Sequence, residues 1–206
     1  MKIYDMEGLP NPARVRMALA EKGVTDQVSF VAVDFMGGEH RTPAFTAKNP
    51  DATVPLLELD DGTCISHCNA ITEYIDQRFD GPSLCGTTPT ERATIQMMNL
   101  RAQEGLLDPL VTYFHHATPG LGPVLETYQL PEWGLRQHDR AIATMHYLDR
   151  VLDDRPYLAG DSFSVADITA FAGMNFTDFA KVEVPAELTN LAAWRARVAS
   201  RPSCAG

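Results

Sequence analysis

The chain is short of positive charge, of paired cysteines and of long apolar runs. Lys and Arg number 17 against 27 Asp and Glu, a net charge of -10 over 206 residues. A surface for nucleic acid or anionic lipid needs clustered cations, so neither partner is expected. No apolar run reaches membrane length, and Met1–Asp5 leads straight into a strand-like segment, so neither a spanning helix nor a signal peptide is expected. The four cysteines, Cys64, Cys68, Cys85 and Cys204, form no CxxC pair and no zinc-like spacing. Cys64 and Cys68 flank His67, but the second ligand pair of a zinc site is missing, so no metal is expected. Such cysteine usage suits a reducing compartment, and a cytoplasmic location is expected.

What is present is a strongly punctuated first half. Hydrophobic residues make up 45% of the chain, enough for a packed core in one large domain or two small ones. Residues 2–5 alternate as a strand. Asn11 and Pro12 read as the N-cap and first position of a helix whose stripe is Val15, Ala18 and Leu19 and whose stop is Gly23. Val28–Val33 is rich in β-branched residues and reads as a second strand, completing a βαβ unit. Residues 36–52 read as irregular, with one short helix near Pro43–Lys48. Leu56–Leu59 and Cys64–Ser66 are strands joined by Asp60-Asp61-Gly62, a strong hairpin signal. Asn69–Phe79 has helical spacing. Just before the hairpin, Val54-Pro55 reads as a deliberate proline turn, often a cis one, that leaves a backbone edge unpaired.

After a break over residues 80–89 no convincing strand appears. A long helix opens at Thr90 and runs through Leu106, with Pro109 expected to kink or end it. Residues 117–123 read as a loop and Arg136–Asp153 as a helix. Ser164, followed three residues later by Asp167 and flanked by Phe163 and Ile168, forms a capping box with a hydrophobic staple at the head of a buried helix, Val165–Met174. Capping explains that carboxylate, so Asp167 is expected to be structural. The sequence stops soon after Arg201-Pro202-Ser203, earlier than a final helix would need, so a truncated or disordered C-terminus is expected.

These elements, with Pro12-Ala13-Arg14-Val15-Arg16, Leu57-Glu58-Leu59-Asp60-Asp61-Gly62, Ala70-Ile71-Thr72-Glu73-Tyr74-Ile75-Asp76 and Tyr113-Phe114-His115-His116-Ala117-Thr118-Pro119-Gly120-Leu121-Gly122, resemble the cytosolic-type glutathione transferases from end to end. Within them the chain is most similar to the atypical yeast-type enzymes that lack the usual activating Tyr, Ser or Cys. The resemblance implies an α/β plus all-α architecture: a thioredoxin-like domain over 1–80, a linker over 81–89 and an all-helical domain over 90–206. It implies an enzyme that conjugates the glutathione thiolate to a small hydrophobic electrophile, with glutathione as co-substrate, and a homodimer. Two other readings stand beside it: a glutathione-fold binding protein without turnover, and a glutathione-dependent thiol or peroxide reductase. Lack of a CxxC or an N-terminal cysteine disfavours the reductase.

The chemistry asks for stabilisation of a thiolate. A thiol of pKa about 8.5 is only a few percent ionised at neutral pH. Lowering that pKa by two units takes about 2.7 kcal/mol of differential stabilisation. The stretch Met6–Pro12 holds no hydroxyl or thiol for the purpose, and Tyr4 inside the strand reads better as a packed aromatic. Two sources remain. One is the helix N-terminus at Asn11–Ala13, with Asn11 as a direct donor. The other is His115, which the resemblance suggests orients an activating water with a hydroxyl one helical turn earlier. That position is Val111, and Thr112 points about 100° away. For the peptide itself, Val54 is expected to offer its N–H and C=O as an added strand, exposed by Pro55. The resemblance places His67 and Cys68 where a Glu-Ser pair meets the γ-glutamyl end, and His40 or Lys48 at the glycyl carboxylate, His40 being the better placed. Tyr113, His116, Leu121 and Pro123 are expected to line the electrophile pocket.

Overall fold

A computed structural model describes residues 1–204. The chain forms two compact units, with the boundary between Leu84 and Cys85. The first has the mixed four-stranded sheet of a thioredoxin-like domain and the second is helical, as expected.

The first unit runs β1 (Lys2–Asp5), α1 (Pro10–Glu21), β2 (Ser29–Ala32), α2 (Pro43–Thr46), β3 (Leu56–Glu58), β4 (Cys64–Ser66) and α3 (Cys68–Arg78). Its four-stranded sheet has the order β2-β1-β3-β4. β1 pairs parallel with β2 across the α1 crossover and antiparallel with β3, and β3 pairs antiparallel with β4. Alternation along the strands divides the core in two. Ile3 and Leu57 face α1 and α3, burying Val15, Leu19, Ile71 and Ile75. Leu56 faces the other way, onto Phe45, Val33 and Val54, with Tyr4 packed against that cluster.

One boundary departs from the sequence reading in a way that matters to the site. α1 is capped by Leu9, not Asn11, and Leu9 offers no side-chain cap. Pro10, which is preorganised for the first helical position, competes successfully with the Asn11-Pro12 signal.

The second unit runs α4 (Pro89–Ala102), a π turn (Gln103–Leu107), α5 (Asp108–Ala117), α6 (Gly122–Leu125), α7 (Pro131–Val151), α8 (Val165–Ala180) and α9 (Thr189–Ala199). α5 packs along α7, and α4 and the π turn pack on α8. The α-helix that opens at Pro89 gives way to the π turn after Ala102, and Pro109 falls in the first turn of α5 rather than at an end. This proline lacks the N–H that would bond Gly105 and its ring would press on that carbonyl, and the wider π turn just upstream relieves both. A Cβ on Gly105 would lie 2.8 Å from the Thr144 hydroxyl of α7, so only glycine allows this approach.

α9 was not anticipated, and its anchor is the Ser164–Asp167 cap. The fully buried Asp167 carboxylate accepts from Ser164 N–H (3.0 Å), Ser164 Oγ (3.1 Å), Leu158 N–H (3.0 Å) and Trp194 Nε1 of α9 (2.9 Å). Burial pushes this carboxyl above its usual range, against the pull of the four donors.

Candidate functional site

The candidate peptide site lies on the first unit, around Val54. Pro55 follows it through a cis peptide bond. Val54 is 7% exposed, and among the described residues neither its N–H nor its C=O takes a hydrogen bond. Buried backbone groups are otherwise nearly always paired, so this pair of groups is open to an added strand. The loop beneath is held by Asn49, which is fully buried. Its Nδ2 donates to Thr53 O (2.8 Å) and Thr53 Oγ1 (3.1 Å), and its Oδ1 accepts from Asp51 N–H (3.2 Å). An Asn-Pro-Asp loop looks generic in sequence, and nothing local marks this support.

The neighbouring corner is formed by His67 and Cys68. His67 caps α3 with φ +65°, ψ 125°, a left-handed backbone rarely held by a non-glycine residue. Its Nε2 lies 3.1 Å from Asp51 Oδ2. Asp51, 16 positions upstream, thus places a carboxylate beside position 67, a pairing that sequence reasoning missed. Cys68, the first residue of α3, is buried, and its Sγ donates to Asn11 O (3.3 Å).

At the N-terminus of α1 the donors are fewer than a generic helix offers. Pro10 and Pro12 have no N–H, and Ala13 N–H bonds Leu9 O (3.1 Å). Among the described residues, Asn11 alone keeps an unbonded backbone N–H in this turn. Its side-chain Oδ1 accepts from Arg14 Nη1 (3.0 Å), which leaves its Nδ2 as a second donor.

The glycyl-end candidates fare differently from expectation. His40 is 3% exposed and stacked on Phe35 at 3.9 Å, so it is no surface donor. Burial, with Arg41 adding to it, holds its pKa below the usual histidine value. Its Nδ1 has no hydrogen-bond partner among the described residues. Lys48 stays at the surface but is engaged. It pairs with Glu58, and its Nζ lies 2.5 Å from Tyr4 Oη, which itself donates to Glu58 Oε2 (2.8 Å). The Glu58 contact is the main cause of a raised Lys48 pKa, and Lys48 in turn holds the Glu58 carboxyl down at about 2. One of the three ammonium protons remains available. The preference for His40 over Lys48 is thus reversed by burial. Tyr4 packs edge-on to Phe45, at 6.0 Å between ring centroids.

On the helical unit, His115 sits near the end of α5, half-buried, with no hydrogen bond to its ring among the described residues. Burial lowers its pKa, opposed by Glu126 and aided by His116, so the neutral imidazole dominates at neutral pH. The hydroxyl of Thr112 donates to Asp108 O (2.8 Å) and provides no partner for His115. His116 is committed to structure: its Nδ1 accepts from Leu130 N–H (3.2 Å) and its Nε2 lies 3.9 Å from Glu126 Oε2. Tyr113 leans on His138, Leu121 is 44% exposed and Pro123 is exposed. A cavity of about 320 Å³ on this unit is lined instead by Glu104, Asp108, Pro109, Thr112, Trp133, Gln137 and Arg140.

An open backbone edge at a cis proline, on the same unit as a helix N-terminus with an unbonded amide, offers a place for an extended backbone to add. The comparisons supply the class. The family model for the glutathione S-transferase N-terminal domain matches residues 10–78, and the one for the C-terminal domain matches residues 130–202. Glutathione S-transferase 2 of Saccharomyces cerevisiae is 57% identical over 203 residues, 98% of this chain and 87% of its own length. The crystal structure of Gtt2 from the same yeast superposes with TM-score 0.95 at 57% identity, covering 99% of this chain and 98% of that one. A glutathione S-transferase domain-containing protein of Marinobacter aquaeolei reaches TM-score 0.97 at 66% identity, covering 99% of this chain and 100% of that one. The chain belongs to the glutathione S-transferase family.

Proposed function

We propose that this transferase binds glutathione as an extended strand on Val54 and lowers its thiol pKa with the two donors of Asn11. The thiolate then attacks a small hydrophobic electrophile. The observation that carries the reading is the open N–H and C=O of Val54 at the cis proline. Around it the ends of the tripeptide find complementary groups. The γ-glutamyl carboxylate meets Cys68 at the N-terminus of α3, and the ammonium meets the Asp51–His67 pair. The glycyl carboxylate falls to the remaining donor of Lys48, while His40 is buried against Phe35. His115 is a neutral base available to the thiol or an activating water, without help from Thr112. Tyr113, Leu121 and Pro123 supply apolar contact to the electrophile, and His116, engaged by Leu130 N–H, anchors the segment after α6. We further propose a cytoplasmic homodimer with residues 1–80 as the glutathione-binding domain and 90–206 as the all-helical domain.

Isothermal titration with glutathione and with S-methylglutathione tests the binding half. Saturable binding of both is expected, since the backbone clamp does not depend on the thiol. No binding of either at millimolar concentration would overturn the reading.

A further inference from the structure

We infer that Arg14 is a positioning residue for the glutathione thiolate, acting through Asn11. The inference rests on the thiolate role proposed for Asn11. In a helix start with two prolines and an uncapped Leu9, Asn11 carries both donors that the turn can aim at an anion. A terminal amide has two faces, one donating and one accepting. If Asn11 rotated freely, its oxygen would face a thiolate as readily as its NH₂. Arg14 removes that freedom. A guanidinium has only donors, so the partner of Nη1 at 3.0 Å must be Oδ1, and Nδ2 is turned to the other side.

Arg14 is itself fixed. It is 3% exposed, and its Nη2 donates to Oδ1 of Asn69 at 2.6 Å, in the first turn of α3. The backbone O of Asn11 is held from the same turn by Cys68 Sγ at 3.3 Å. The N-termini of α1 and α3, one proposed for the thiolate and the other for the γ-glutamyl carboxylate, are thus tied together by one planar, bidentate cation. Lys cannot span both amides with such geometry. The spacing Asn11 to Arg14 is i, i+3 on one helix face and is visible in sequence. The bond to Asn69 is 55 residues away and is not.

The test follows the pH dependence of thiolate ultraviolet absorbance for glutathione bound to the wild type and to N11A, R14M, R14K, N69A and N11A/R14M. The wild type should hold the thiol pKa below its free value of about 8.5. N11A should raise it, and R14M should raise it by about one unit, a tenfold loss of thiolate on the acid side. R14K should follow R14M, and N69A should show a smaller rise. N11A/R14M should match N11A alone, because Arg14 acts only through that amide. Additive shifts in the double variant, or an R14M pKa equal to wild type, would overturn the inference while leaving Asn11 its role. An unshifted thiol in the wild type, or no effect of N11A, would overturn the Asn11 reading and this one with it. Circular dichroism checks each fold. If R14M does not fold, N69A and R14K decide the matter, since an unchanged pKa in both contradicts the clamp.

Discussion

Replacing Lys22 by Met should destabilise the first unit by about 3–5 kcal/mol, the range seen when one partner of a buried ion pair is removed. Lys22 ends α1, and its ammonium and the Asp76 carboxylate of α3 are each 2% exposed. Nζ donates to Asp76 Oδ1 (3.0 Å), Asp76 O (3.2 Å) and Pro82 O (3.0 Å), so the substitution takes a donor from two carbonyl oxygens as well as the countercharge from the carboxylate. At 3 Å and an effective dielectric of about 20 the lost attraction is about 5 kcal/mol. Leu84 N–H, 2.9 Å from the same carboxylate oxygen, offsets part of it. The apolar stem of Lys is matched by Met, so little packing is lost. Urea unfolding should be followed by far-ultraviolet circular dichroism. Trp133 and Trp194, the two tryptophans of the chain, both lie in the second unit and would miss the effect. K22M/D76N should recover part of the loss, because the stranded charge is gone. A cost below about 1 kcal/mol for K22M, or a double variant worse than the sum of its singles, would refute the reasoning.

Other outcomes follow from the same geometry. Asp51→Asn removes a half-exposed carboxylate proposed to meet an ammonium. A contact near 4 Å in a largely aqueous setting is worth about 1 kcal/mol, so glutathione Kd should weaken about fivefold by calorimetry. His115→Ala should lower kcat at least about tenfold while glutathione Kd moves much less; equal loss of both would reject its role as base. His40 and His115 both have native pKa values lowered by burial from about 6.5. As pH falls through that value the unfolded chain takes up protons that the native one refuses. Stability should therefore fall from pH of about 6.5 downward, until the native groups protonate too. Thermal melts across that range should show the slope, and His40→Gln should flatten part of it.

Legibility in the sequence followed the range of the interactions. The proline turn, the Asp60-Asp61-Gly62 hairpin and the Ser164–Asp167 box are local devices, and each stands where its residues point. The thioredoxin-like and helical halves were equally readable. The errors arose where two local signals competed or where a partner lay far along the chain. Two prolines bid for the start of α1, and Pro10 prevailed, which moved the cap to Leu9 and left Asn11 inside the first turn. Pro109 reads as a breaker until the π turn before it is seen. His40 has the composition of a surface donor, and only the fold shows that it is stacked under Phe35. Asp51 with His67, and Arg14 with Asn69, are pairings that the sheet and the α1–α3 packing create. No local pattern announces them.

The central claim is that Asn11, in an otherwise donor-poor helix start, lowers the thiol pKa of glutathione held on Val54. Thiolate absorbance of glutathione saturating the wild-type protein, recorded against pH beside the N11A variant, tests it most directly. A pKa well below the free value of about 8.5 in the wild type, rising part of the way in N11A, which loses Nδ2 but keeps the backbone N–H, is the predicted result. A bound thiol that titrates at its free value, or one whose depressed pKa is untouched by N11A, would contradict the claim.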